Sequence, residues 1–400
     1  MPVSEAMRDR AVAVVVGQDI NALGVLRSLA AGGVACYALV SDRSSPVGWS
    51  RFGIKTPCAA LAGTELVQAL RSFADRFPDG DRPVLFLTEE KGVDTVCEHL
   101  PEIKCRYRYT APDAGVLRAL LRKNEFQQMA ERSGASIPRS LHLSSATLPE
   151  AARTLAFPVI LKPTVRDYEY AKHFAKAYKC ASLEELAGWV ERIMPTCNDL
   201  MVQEWIEGDD SDIYFCLTYC ARDPGDRIAF VGRKLRSWPP RIGGTASCVA
   251  APEFHDELSR RTFAFFDAVG FLGVGSMEFK RDRRDGEFYM VEPTVGRTDF
   301  QQEVATVNGA NIPLRVFDAE LGLRGEPPRY ADPPVVWYDA QSVRQARARE
   351  ERAGIDLVEA PAVDALFRWN DPLPALHARM RPFMARLRGI GRRLGVGPQG

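Results

Sequence analysis

Gly275-Ser276-Met277-Glu278-Phe279-Lys280, followed after a turn by Glu287-Phe288-Tyr289-Met290-Val291-Glu292-Pro293-Thr294, is the stretch on which the reading of the chain turns. Both runs have strand composition, and Arg284 to Gly286 between them are turn residues, so the spacing predicts an antiparallel pair. Glu278 and Glu292 then lie on neighbouring strands and can face one another. Two carboxylates presented together repel unless a cation lies between them. Mg²⁺ suits such a place, because it takes hard oxygen ligands and binds through one or two carboxylates plus substrate phosphates. The plainer reading is a cross-strand charge pair with Lys280 or Arg281.

Upstream, Val202-Gln203-Glu204-Trp205-Ile206-Glu207-Gly208 reads as a strand leaving the core through an exposed hinge. Backbone groups at such an edge can pair with a purine, while a carboxylate accepts from its exocyclic amine. Asp209, Asp210 and Asp212 follow, within reach of a ribose hydroxyl. An ordinary acidic turn is the bland alternative. Earlier still, Phe157 to Lys162 reads as a strand whose last residue, Lys162, points its ammonium out of the sheet end. Lys123 sits on a helix expected over Leu117 to Ser133. Each lysine can meet phosphate as a compact point charge, or merely snorkel to solvent.

The N-terminal run Ala11 to Val16 is apolar and β-branched, followed by Gly17, a helical pattern through Leu29, the stop Gly32-Gly33 and a second apolar run to Val40. This is one βαβ unit of a parallel sheet, and Pro83 to Thr88 reads as a further buried strand. Gly17 to Gly24 does not match the dinucleotide spacing, although Asp42 ends the next strand where a ribose carboxylate would sit. The 400 residues predict two to three domains. Lysine plus arginine and aspartate plus glutamate both number 52, which argues against a dedicated nucleic-acid binder. No run approaches the ~18 apolar residues of a membrane span, and Met1 to Arg10 hold no signal-peptide core. The nine cysteines are scattered without a CxxC pair, which fits reduced thiols in a cytoplasm better than disulfides or zinc. A Pro-rich break, 326–334, leads to a tail that has no acidic residue after Asp371 but arginines at 379, 381, 386, 388, 392 and 393. Such a tail is either a solvated helix or a dock for anionic lipid or a partner.

The ordered set Lys123, Lys162, Gln203-Glu204-Trp205-Ile206, Glu278 and Glu292, behind a βαβ unit, resembles the ATP-grasp superfamily over about residues 12 to 320. Within it the chain looks like the carboxylate–amine ligase branch, the D-aspartate ligase-like enzymes. The resemblance implies an α/β and α+β chain with a Rossmann-like pre-ATP-grasp domain (1–112), first and second ATP-grasp lobes (113–200 and 201–324) and a C-terminal extension (325–400).

It further implies an ATP-dependent ligase that joins a small-molecule carboxylate to an amine through an acyl phosphate, with ATP and Mg²⁺. Lys123 and Lys162 would hold phosphates, Glu204 the adenine amine beside the Ile206 backbone, and Asp212, or Asp210, the ribose. Gln203 and Trp205 belong to the same nucleotide hinge. Glu278, Glu292 and Thr294 would be the metal set. Arg297 would stabilise the acyl phosphate, with Lys234 and Arg236, beside Arg233, adding positive charge. Arg241 to Ser247 would line the acceptor site, and Asn21 would touch the second substrate.

Two features depart from the family pattern. Thr294 stands where an asparagine is usual, with the arginine one residue late. The loop Thr164 to Lys179 has no glycine, but carries Arg166, Lys172, His173, Lys176 and Lys179 to cover phosphates through side chains. Alternatives are another phosphoryl-transfer or carboxylase-type ATP-grasp enzyme, or a nucleotide-binding protein impaired in turnover. A homodimer is expected on general grounds.

Overall fold

The structure, a computed structural model, describes residues 10–77, 80–143, 154–164, 168–175, 177–241, 243–348 and 360–380. Three sheets organise them. The first is parallel, in the order β3 (Ile54–Pro57), β2 (Ala35–Val40), β1 (Val12–Val16) and β4 (Val84–Leu87). Its central strand VAVVV is covered on both faces, which is why it is apolar throughout rather than alternating. The helix Ile20–Ala31 crosses over from β1 to β2, capped by the Asp19 side chain on the Ala22 N–H. Gly17, at φ +151°, precedes the cap, and a Cβ there would fall 1.9 Å from Thr88 Oγ1. The glycine thus serves close strand-end packing.

The second sheet is small and antiparallel, in the order β5 (Ser140–Leu143), β8 (Leu200–Glu204), β6 (Val159–Pro163) and β7 (Tyr178–Cys180). It packs its own cluster, Leu143, Val159, Leu161, Leu186, Val190 and Val202 among others. The helix Leu183–Ile193 covers it, with Ser182 Oγ accepting from the Glu185 N–H. Glu185 returns its side chain to the N–H of Ala181, one residue before the cap. Strand β8 belongs to this sheet, so the small lobe extends through Glu204.

The third sheet has seven strands: β13 (Phe288–Val295), β12 (Gly273–Arg281), β9 (Ile213–Cys220), β10 (Ile228–Trp238), β11 (Gly244–Ala250), β14 (Val336–Tyr338) and β15 (Ala362–Asp364). All neighbours are antiparallel except β14 and β15. Residues beyond the Pro-rich break therefore finish this sheet rather than trailing from it. The first and third sheets share two buried clusters. A buried ionic knot adds to them. Arg27 bonds Asp371 at 2.9 Å and the carbonyls of Ala365 and Leu366, while Arg368 forms an ion pair with Glu303 at 2.9 Å.

The helix expected as one piece over Leu117 to Ser133 is two, Ala114–Leu121 and Lys123–Arg132, with Arg122 extended between them (φ −99°, ψ 121°). No glycine or proline announces this break. Its consequence is that Lys123 opens the second helix at the edge of a cleft. Asn21 also differs from expectation. It is buried, donates to the carbonyls of Thr88 and Thr298 at 3.0 and 2.9 Å, and accepts from Thr298 Oγ1 at 2.8 Å. It ties the first sheet to the segment after β13, and both of its amide hydrogens are engaged in doing so.

Candidate active site

Where the small sheet faces the large one lies a cavity of about 620 Å³, in the size range of small-molecule sites. Lys123 enters from its helix start and Lys162 from the end of β6. Lys162 Nζ donates to Gln203 Oε1 at 3.0 Å across the β6–β8 ladder. Gln203 is buried and bonds Gln127 in turn, so its side chain serves to hold the lysine.

Glu204, Trp205 and Ile206 also line the cavity. Glu204 Oε1 accepts from the Ala156 N–H at 3.1 Å. The Trp205 N–H is taken by Pro158 O. The Trp205 indole carries two ammonium groups, Lys280 at 4.1 Å and Lys179 at 4.4 Å from the ring centroid, an arrangement that favours cations over a π face. Burial pushes Lys280 below the usual lysine range, with Lys179 adding to the shift against the pull of Glu207.

Glu278 and Glu292 are direct Cα partners on β12 and β13, which sets both side chains on one face of the sheet, and both line the cavity with Thr294. A register shift follows Glu278. Lys234, on β10, reaches Glu278 at 2.6 Å and is only 4% exposed. Burial opposes the ammonium. Glu278 beside it, with Asp299 and Asp210, outweighs burial and raises Lys234 above the usual lysine range. Among the described residues no group of three or more His, Cys, Asp or Glu converges as a metal site. A pair of opposed glutamates beside a phosphate-sized cavity does fit Mg²⁺, which draws its remaining ligands from phosphate and water.

Arg297 lines the cavity too, with Nη1 on Thr298 O at 3.2 Å and a buried Nε that has no partner among the described residues. Arg241, Gly243, Gly244 and Thr245 form another wall. Arg241 holds left-handed backbone (φ 70°) and gives its N–H to Asp210 Oδ1, a strained setting of the kind found at functional loops. Ile242 lies outside the described residues.

Several expected site residues are elsewhere. Asp212 does not line the cavity. Its Oδ2 accepts from the Asp209 N–H and from Arg283 Nε at 2.6 Å, closing a capping box. Asp210 binds the N–H groups of Ser237 and Arg241. These aspartates shape the turn instead of meeting a ribose. Arg236 is buried on β10 and is also absent from the cavity wall. Of the basic cover residues, Lys172, His173 and Lys179 do not line it, and Arg166 and Lys176 lie outside the described residues.

Sequence reasoning missed Asp299, Gln127 and Lys280 in the wall. Asp299 accepts from Ser276 Oγ at 2.7 Å. Lys280 could have been found, since it is two residues after Glu278 and shares its face.

No family model matches the chain. D-aspartate ligase of Enterococcus faecium is 24% identical over 319 residues, covering 75% of this chain and 74% of that protein. Among solved structures, an ADP complex of N5-carboxyaminoimidazole ribonucleotide synthetase superposes with a TM-score of 0.62 at 15% identity, covering 82% of this chain and 80% of the other. The biotin carboxylase domain of Hydrogenobacter thermophilus 2-oxoglutarate carboxylase, complexed with MgADP, gives 0.60 at 15% identity, covering 79% and 71%. The chain has the ATP-grasp fold. In this fold the small sheet, the hinge after β8 and the opposed glutamates of the large sheet line one cleft together with Lys123 and Lys162.

Proposed function

We propose that this ATP-grasp chain is an ATP-dependent carboxylate–amine ligase that forms an amide bond through an acyl phosphate. The observation that carries the reading is the opposed pair Glu278 and Glu292, in one cavity with Lys123, Lys162 and Arg297. The likeness to D-aspartate ligase supports it. A substrate carboxylate oxygen attacks the γ-phosphorus of ATP, the bond to the β-phosphate oxygen breaks, and ADP leaves. The amine then attacks the acyl carbon, loses a proton, and phosphate departs with its electron pair.

Protein groups accelerate such steps by positioning and by cancelling charge. Lys123 and Lys162 share the phosphate charge. Lys234 keeps Glu278 oriented, and the unpaired Arg297 Nε is a donor for the developing oxyanion. Glu278 and Glu292 would hold Mg²⁺, which supplies neutralisation of the transferred phosphoryl group. Glu204 and Ile206 would take the adenine. In the same reading the pre-domain of residues 1–112 carries part of the second-substrate site, and nucleotide lies between the lobes of 113–200 and 201–324. The partners are a small carboxylate and an amine. A cytoplasmic setting, a homodimer and a membrane-surface contact of the basic tail complete the proposal. No helix among the described residues is long and apolar enough to cross a membrane.

The test is a screen of carboxylates against amines with Mg·ATP, reading phosphate release and trapping acyl phosphate as hydroxamate. Amine-dependent phosphate release with hydroxamate in the amine's absence is the expected result. ADP release without hydroxamate across the panel would favour the carboxylase-type or phosphoryl-transfer reading.

A further inference from the structure

Asn21 is 2% exposed and stands in the first turn of the helix Ile20–Ala31. It does not line the cleft cavity. An asparagine in a first turn ordinarily bonds the backbone beside it. This one reaches instead to residues 67 and 277 positions away, Thr88 and Thr298. A buried amide has to find partners, and here both partners lie at the rim of the site.

Thr298 is 1% exposed, and its N–H donates to Leu87 O at the end of β4 at 3.1 Å. Its hydroxyl donates to Asn21 Oδ1 at 2.8 Å. Its carbonyl takes two donors, Asn21 Nδ2 at 2.9 Å and Arg297 Nη1 at 3.2 Å. That second contact is the one hydrogen bond the Arg297 guanidinium makes among the described residues. On the other side, Gly296 is held by Tyr109, whose hydroxyl donates to Gly296 O at 2.7 Å. Both neighbours of Thr298, Arg297 and Asp299, line the cavity. A long side chain with several rotatable bonds and a single anchor takes its place from that anchor.

We propose that Asn21 is a positioning residue for Arg297: by aiming the Thr298 carbonyl it sets where the guanidinium stands in the cleft. The inference rests on the ligase reading, in which Arg297 meets the developing oxyanion. It gives the first sheet a hold on the chemistry through a side chain that touches no substrate. A misplacement of about 1 Å at such a group costs roughly 10²-fold in rate.

The test compares wild type, Asn21→Leu, Arg297→Ala and the double variant. Asn21→Leu keeps the volume and deletes both donors. The first readout needs no substrate: the nitrogen–proton resonance of Arg297 Nε, assigned by its disappearance in Arg297→Ala. In wild type it should stand apart from the resonances of solvated arginines, because this Nε is buried. In Asn21→Leu it should merge with them. The second readout is amine-dependent phosphate release with the carboxylate and amine found in the screen. Asn21→Leu should lower turnover roughly 10²-fold. Its Mg·ATP affinity should stay within about twofold of wild type, and the double variant should be no slower than Arg297→Ala. An unmoved Nε resonance, or losses that multiply in the double variant, overturns the proposal and leaves the ligase reading intact. Wild-type turnover in Arg297→Ala overturns the proposal together with the arginine's place in that reading. Asn21→Ser, which keeps one donor, carries the same measurements where Asn21→Leu does not fold.

Discussion

Lys234 and Glu278 are the residues on which the cleft's charge balance depends. The lysine side chain is 5% exposed and the glutamate 29%, so the two halves of the pair are unequally solvated. Glu278→Gln strands a buried ammonium, whereas Lys234→Met leaves a carboxylate that water still reaches. Glu278→Gln should therefore cost on the order of 3 kcal/mol, and Lys234→Met distinctly less, in urea denaturation. An equal or reversed order would remove the pair from the account. Glu292→Gln and Lys162→Ala should keep the fold, checked by circular dichroism, and lower amine-dependent ADP release on the order of 10²- to 10³-fold. Wild-type turnover in Glu292→Gln would sink the metal assignment. At this scale the sequence names residue types and order but not partners. Glu278 and Glu292 were readable because strand register aligns them. Asp212 was misplaced because its claimant, Arg283, comes from a turn seventy-odd positions away that no local pattern connects.

The hairpin of β12 and β13 is the element that sets the carboxylate register, and its turn is locked from within. Asp282 is fully buried and accepts from the backbone N–H, Nε and Nη2 of Arg284, while its own N–H is donated to Glu287 O. Burial alone would push its carboxyl up, but the Arg284 bonds outweigh it and hold Asp282 below the usual carboxylate range. A carboxyl whose folded value is depressed stabilises the fold above its unfolded value, and that contribution is lost as pH falls through the folded one. Melting temperature should thus drop below about pH 3.9 more steeply in wild type than in Asp282→Asn. Parallel acid profiles would refute the lock.

Long strands such as β12 and β13 were legible because a turn signal separates two runs of strand composition. The three residues of β7, β14 or β15 carry no such signal. The break at Arg122 escaped for another reason, since both flanking helices have good helical sequence and only tertiary packing separates them.

Across the molecule, all nine cysteines are free, and only Cys105 is exposed, with Cys197 half-buried. Burial pushes Cys36, Cys216 and Cys220 up to about 12, and Cys180 to about 11. Under native conditions a thiol reagent should label Cys105 first and Cys197 more slowly, and the remaining seven only on unfolding. Rapid labelling of four or more would contradict the burial described. The parallel first sheet and the order of the cleft residues could be read in advance, because they follow from local apolar runs and turns. The sharing of two buried clusters between the first and third sheets could not, because it brings together residues such as Val15 and Phe215 that lie far apart in the chain.

Completion of the large sheet by β14 and β15 bears on how the protein is made. Strand β11 ends at Ala250, and the strand that covers its outer edge begins only at Val336. On a ribosome, β9 to β13 can emerge and pair while that flank still has no neighbour. An open flank of this kind is a template for pairing with other chains. Nascent molecules are therefore most exposed to mispairing in the interval before Val336 to Tyr338 are synthesised, and chaperone demand should peak there.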